Sequence, residues 1–249
     1  MCIRDSFGVV SGVSLAKASD QNTTLKPFTL TSFGGCLVDD TATALAKAIH
    51  RNNTLMSFTL VAAQSQLGDH IGTALALAIQ QNATLKSFDL SIHSRFIGDK
   101  TGIALAAAIC QNATLTCFKW CAMYNAIGDA TGNALALALQ QNTTLKSFAL
   151  KARGTKIGIQ TGKALVVAIS RNMTLMSFTW LAAIGDDPTE FIKQLIVDNR
   201  TLTLQRQVLR QLTTLSSHLG FQSVKSAMFW NLVLEFFARP GCFVLPLHI

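Results

Sequence analysis

Charge is scarce in this sequence: charged residues make up 14% of its 249 positions, against 49% hydrophobic. That balance excludes a disordered, highly charged chain and leaves ample material for a core. Acidic residues are the scarcer sign, 13 against 21 Lys and Arg, for a net charge of +8. None lies between Asp129 and Asp186, a stretch that carries Lys146, Lys151, Arg153, Lys156, Lys163 and Arg171. Such a run could serve a polyanion, nucleic acid or phospholipid, although a solvated face is the simpler expectation. Paired cysteines are missing too. Cys2, Cys36, Cys110, Cys117, Cys121 and Cys242 share no repeating spacing, and Cys117 and Cys121 have no second pair or His cluster nearby. Reduced thiols and a cytoplasmic setting are expected, with no zinc site.

Chemistry-bearing motifs are equally sparse. His50, His70, His93, His218 and His248 have no ligand spacing, and no Gly-rich loop ends in a Walker-type Lys-Ser or Lys-Thr. No catalytic, cofactor or metal residue is therefore nominated. The most hydrophobic run, Ala227–Phe237, has nine uncharged residues between Lys225 and Glu235. A bilayer span needs about 20. A buried helix is expected there, not a membrane anchor.

What is present is a repeat. Asn22, Asn52, Asn82, Asn112, Asn142 and Asn172 recur every 30 residues, each opening an Asn-x-Thr-Leu frame, and Asn199 follows after 27. Phe28, Phe58, Phe88, Phe118, Phe148 and Phe178 keep the same register. A fixed period in this range indicates a stacked architecture whose units cannot bury their apolar faces alone.

Each unit has two halves. Phe88 and Leu90 are two apart, as on one face of a strand. Ala104, Leu105, Ala108 and Ile109 have helical spacing. Asp99 is expected to cap its own helix, and Asn112 to close that helix in the left-handed conformation. Gly72, Gly102, Gly132 and Gly162 suit close helix approach, and the Phe residues should stack in one internal row. The seven Asn-x-Thr sequons are read as products of this repeat and not as glycosylation sites.

Leu-x-x-Phe-x-Leu, then Ile-Gly-Asp-x-x-Gly-x-Ala-Leu-Ala-x-Ala-Ile, then Asn-x-Thr-Leu, resembles the ribonuclease-inhibitor-like class of leucine-rich repeats from Phe7 to about Leu204. The resemblance implies an α/β leucine-rich-repeat solenoid, horseshoe-like, with a parallel β-sheet on one face and α-helices on the other, about 30 residues per repeat. The family pattern is L-x-x-L-x-L-x-x-N/C-x-L. Here Leu90 and Ile97 are seven apart, and the ladder position holds Phe33, Ala63, His93, Met123, Arg153 and Ala183. A two-residue insertion thus follows each strand, and the usual loop ladder is expected to be absent or shifted.

The resemblance also implies a non-catalytic scaffold that recognises protein partners, monomeric, through its outer strand face and adjoining loops. The outer strand positions are Thr29, Thr59, Asp89, Lys119, Ala149 and Thr179, small and bland apart from Asp89 and Lys119. The loops are richer. His93, Arg95 and Phe96, then Met123, Tyr124 and Asn125, then Arg153 and Lys156, are the candidate contact residues, because loops on a rigid scaffold can vary freely, and Asp89 and Lys119 on the strand face join them. A GTPase-activating role occurs among relatives of this repeat class, but no residue here carries that chemistry over.

The ends depart from the pattern. Residues 1–6 read as a translated sequencing adapter (ATG TGT ATA AGA GAC AG). Phe7–Ala18 aligns with Ile127–Ala138, so the native sequence is expected to begin within a repeat of a larger regulatory or sensor protein. Repeats are assigned to residues 7–199. Asp187, Pro188 and Glu190 predict a capped helix containing Phe191, Ile192, Leu195 and Ile196. Residues 200–249 are expected to supply capping helices, including Val208, Leu209, Leu212 and Leu215, and a tail of no assignable pattern.

Overall fold

The structure is a computed structural model that describes residues 2–4, 9–33, 37, 39–63, 65–183 and 191–197. Strands β1 (Cys2–Arg4), β2 (Pro27–Ser32), β3 (Ser57–Ala63), β4 (Ser87–His93), β5 (Cys117–Cys121), β6 (Ser147–Ala152), β7 (Ser177–Ala183) and β8 (Phe191–Val197) form one sheet in sequential order. Helices α1 (Val9–Gln21), α2 (Asp39–Arg51), α3 (Asp69–Gln81), α4 (Asp99–Gln111), α5 (Asp129–Gln141) and α6 (Ile159–Arg171) pack against their sequence neighbours. The result is the leucine-rich-repeat solenoid that the sequence implies. β1 to β7 pair in parallel, and from β2 to β7 each residue faces its counterpart 30 positions on, so Phe88 faces Phe118 and Leu90 faces Trp120.

Alternation along each strand sends Phe and Leu, or Trp, inward. The six Phe rings from Phe28 to Phe178 stack in one row with centroids 5.6 to 5.9 Å apart and planes within 17°. On the helix side, a Cβ at Gly102 would lie 2.1 Å from Thr131 Oγ1, and Gly72 and Gly132 stand in the same relation to Thr101 and Thr161. Glycine is therefore required for neighbouring helices to meet at this distance.

Two expectations about local caps are corrected. Asn112 is not left-handed; its backbone is extended, with φ −76° and ψ 125°. Its side chain instead joins two repeats. The Nδ2 group donates to Ile79 O (2.7 Å) and Asn82 O (3.0 Å) of the preceding unit. Oδ1 accepts from the backbone N–H groups of Thr114 (2.8 Å) and Leu115 (2.7 Å). Asn52, Asn82, Asn142 and Asn172 repeat this arrangement. An asparagine ladder exists after all, in the helix-to-strand turn. These five side chains are buried, and the amide nitrogen that a glycan would need is already donating twice. Asn22 is exposed, and Asn199 lies outside the described residues.

The N-cap of α4 is Gly98, not Asp99, and no side chain of its own repeat caps it. Asp99 reaches forward. Its Oδ1 accepts from Gly128 N (2.8 Å), Thr131 N (3.2 Å) and Thr131 Oγ1 (2.5 Å), which are the first groups of α5. Asp69 caps α4 in the same way, and Asp129 caps α6. Each of these helices is thus capped by the carboxylate of the unit before it. The series stops at α6, which has Ile159 where its predecessors have Asp.

Beyond β7 the pattern breaks. Residues 191–197, expected in a helix, form β8 antiparallel to β7, with a register shift between Trp180 and Ala182. The β-branched and aromatic residues Phe191, Ile192, Ile196 and Val197 favour strand, and an unpaired sheet edge offers a row of backbone partners. Cys2–Arg4, set aside as adapter, pairs with β2. The candidate cap at 200–220, the Ala227–Phe237 run and the tail lie outside the described residues.

Two substitutions test the ladders. Asn112→Ala strands two buried carbonyls, the buried N–H of Leu115 and the half-buried N–H of Thr114, and should lower unfolding free energy by about 3 kcal/mol or more in urea titration. Asp99→Ala should cost about 1 kcal/mol near neutral pH. Burial pushes the Asp99 carboxyl up, but bonds from Thr131 and Gly128, helped by Lys156, outweigh it and hold the group below its ordinary value. Its stabilising contribution is then full above the ordinary Asp range and is lost as pH falls through the lowered value. The gap between wild type and Asp99→Ala should close in acid urea titrations; a gap constant with pH would show that the carboxylate is not the cap.

Candidate functional site

The sheet face away from the helices is lined by the odd-numbered strand residues. On most strands these are small: Ser57 and Thr59, Ser87 and Ser91, Ser147 and Ala149. The exception is the centre. Asp89 on β4 faces Lys119 on β5, and Cys121 on β5 faces Lys151 on β6. Lys119 and Lys151 are exposed, while Asp89 is half-buried. Burial raises the Asp89 carboxyl above its ordinary value, and Lys119 and Lys151 pull the other way without cancelling it. Asp89 thus lies within electrostatic reach of both ammonium groups. His93, at the end of β4, lies with Nε2 3.4 Å from Cys121 Sγ.

The loops that follow these strands bring most of the remaining candidates to the same edge. Tyr124 N donates to Arg153 O (2.8 Å), and Lys156 N to Ile127 O (2.8 Å), tying consecutive loops together. Arg95, Tyr124, Arg153 and Lys156 are exposed, and Phe96 has 61% of its surface open. Arg95 and Tyr124 adopt left-handed backbone, φ 65° and 59°, as does Gly154 at φ 70°. For long side chains this conformation costs of order 1–3 kcal/mol and persists only where surroundings fix it. The Tyr124 ring covers Gly154 so closely that a Cβ there would lie 2.5 Å from Cδ1.

Asn125 is the exception among the loop candidates. It is 4% exposed; Nδ2 donates to Ile92 O (2.6 Å), and Oδ1 accepts from Ser94 Oγ (3.2 Å) and Ile97 N (3.4 Å). It braces the preceding loop and offers no contact surface. Its place is the family's ladder position moved by the two-residue insertion, a signal the sequence carried. Met123 is half-buried beside it. Sequence reasoning missed Thr101, Thr131 and Thr161 entirely. All three are fully buried and meet the Asp carboxylates.

The basic stretch from Lys146 to Arg171 does not form one patch. Lys151, Arg153 and Lys156 lie at the C-terminal end of β6, Lys146 precedes the opposite end, Lys163 is on α6 and Arg171 ends it. A cavity lined by Leu25, Phe28, Leu45, Ile49 and Phe58 holds about 10 Å³, room for about one water. No described helix is long and apolar enough to cross a membrane.

The geometry is that of a leucine-rich-repeat array with a variable loop edge on a rigid scaffold. The TMOD/LMOD leucine-rich domain matches residues 14–175, and the chain belongs to that family. Among solved structures, one described as Leiomodin-1 Actin-Binding Site 2 is similar at 22% identity and TM-score 0.49, covering 66% of this chain and 88% of that one. The tropomodulin C-terminal domain of Caenorhabditis elegans is similar at 16% identity and TM-score 0.48, covering 67% and 93%. No curated protein matches the chain.

Asp89→Asn tests the electrostatics of the sheet face. Because folding raises the Asp89 carboxyl, the ionised form is disfavoured in the folded state, and stability is lost as pH rises through the raised value. Asp89→Asn should stabilise the protein at neutral pH, by up to about 0.5 kcal/mol for a half-exposed site on the sheet face, and less in acid. Thermal melts at several pH values give the comparison; a destabilised variant at neutral pH would mean that the Lys119 and Lys151 attraction dominates.

Proposed function

We propose that this chain is a non-catalytic protein-recognition array, part of a larger regulatory protein, and that actin is its partner. Membership of the TMOD/LMOD leucine-rich-domain family across residues 14–175 carries this reading. Actin is the partner to test first because the leiomodin-1 domain is described as an actin-binding site. The scaffold suits recognition, since its inter-repeat ladders consume the polar groups inside the stack and leave the loop edge free to vary. Exposed Arg95, Tyr124 and Arg153 are the anchors proposed for the contact, because Tyr and Arg dominate binding energy at interfaces.

The purified chain should bind filamentous or monomeric actin in co-sedimentation or anisotropy assays. Replacing Arg95, Tyr124 and Arg153 together by Ala should weaken binding by tenfold or more, about 1.4 kcal/mol. Absence of binding to either form of actin at low salt would sink the actin assignment. Binding unaffected by the triple replacement would remove the loop edge from the interface.

A further inference from the structure

We infer that the central sheet face and its loop edge form a seat for an extended acidic segment of the protein partner, running across β4, β5 and β6. The inference rests on the protein-recognition reading above and adds the chemistry of what is recognised.

Charge complementarity carries it. Lys119, Lys151, Arg153 and Arg95 are exposed on this surface, and among the described residues Asp89 is the one carboxylate on the sheet face beside them, within electrostatic reach of Lys119 and Lys151. Lys156 lies within electrostatic reach of Asp99, whereas Lys119, Lys151, Arg153 and Arg95 sit on the sheet and the first loop residues. Around the cations the face is made small by Ser87, Ser91, Ser147 and Ala149. A main chain can lie close to such a surface, and long side chains do not obstruct it.

Spacing sets the direction and the pattern. Neighbouring strands are about 4.8 Å apart, so the β4 and β6 columns are separated by about 10 Å. Arg95 follows β4 and Arg153 follows β6, giving the loop edge a similar interval. An extended chain advances about 3.3 Å per residue. Only alternate side chains of an extended chain share a face, at intervals of about 6.6 Å, so a segment crossing the strands would turn carboxylates at every second residue toward the long, adjustable cations. The loop edge is also held in place before any partner arrives, by the Tyr124–Arg153 backbone bond and the Tyr124 ring against Gly154. Little ordering cost then remains to be met on binding.

Fluorescein-labelled oligoglutamate is the probe, titrated by anisotropy against the purified chain at low and moderate salt. Wild type should bind. The variant K119E/K151E/R153E should weaken binding by about tenfold or more, and K119Q/K151Q/R153Q by an intermediate amount. K47E, a charge reversal of the same kind on exposed α2, should have no effect. Circular dichroism melts establish that all variants are folded. Failure of wild type to bind, or equal weakening by K47E, would overturn the inference. Tighter binding of single-stranded DNA than of oligoglutamate at equal charge would overturn it in favour of a nucleic-acid site. If oligoglutamate is held but actin is not, only the actin assignment falls. If actin is bound equally by wild type and K119E/K151E/R153E, this inference falls alone.

Discussion

The side-chain amide of the repeated asparagine is the bond on which the rest of the solenoid depends. Stacked units leave polar backbone groups facing each other across every helix-to-strand turn, and in a dry interior an unpaired group costs more than a made bond returns. At Asn112 one amide satisfies two carbonyls of the preceding unit and two N–H groups of its own turn. No other side chain presents donors and acceptors at this length with this balance. Aspartate would turn a donor into a repelled acceptor, and serine would be too short. The turn fixed in this way delivers the following strand in register, and the Phe row then follows from that register.

The second ladder runs the opposite way along the array. Asparagine reaches back to the previous unit, whereas Asp69, Asp99 and Asp129 reach forward to cap the next helix. Each unit is therefore held at two heights by side chains of different charge. At Asp99 the bonds are nearer to water and hold a carboxyl below its ordinary value, so they respond to acid, whereas an asparagine amide does not titrate. Acid should loosen the start of α5 before it disturbs the turns beside the sheet.

The period, the strand and helix faces, the stacked Phe residues and the close-approach glycines were all legible in the sequence, because each depends on spacing within one unit. The capping roles were not. A search for the partner of Asp99 or Asn112 looks first along the local helix, while the partners that join one unit to the next lie 29 to 33 residues away in units of the same composition. Phe191–Val197 failed for a related reason: local cap signals pointed to a helix, and the open edge of β7 decided otherwise. The loop edge was legible in composition but not in conformation. Nothing in Arg95 or Tyr124 announces a positive φ, and the burial of Asn125 follows only once the two-residue insertion is placed.

Because the described units share asparagine bonds made by the same atoms at the same offset, one whole unit can be lost or gained and the broken ends will find equivalent partners. A fragment of a unit cannot. Growth or shortening of such a gene is therefore quantised at 30 codons, and each accepted step moves one side of a binding surface past the other by a strand's width while leaving every contact within the units unchanged.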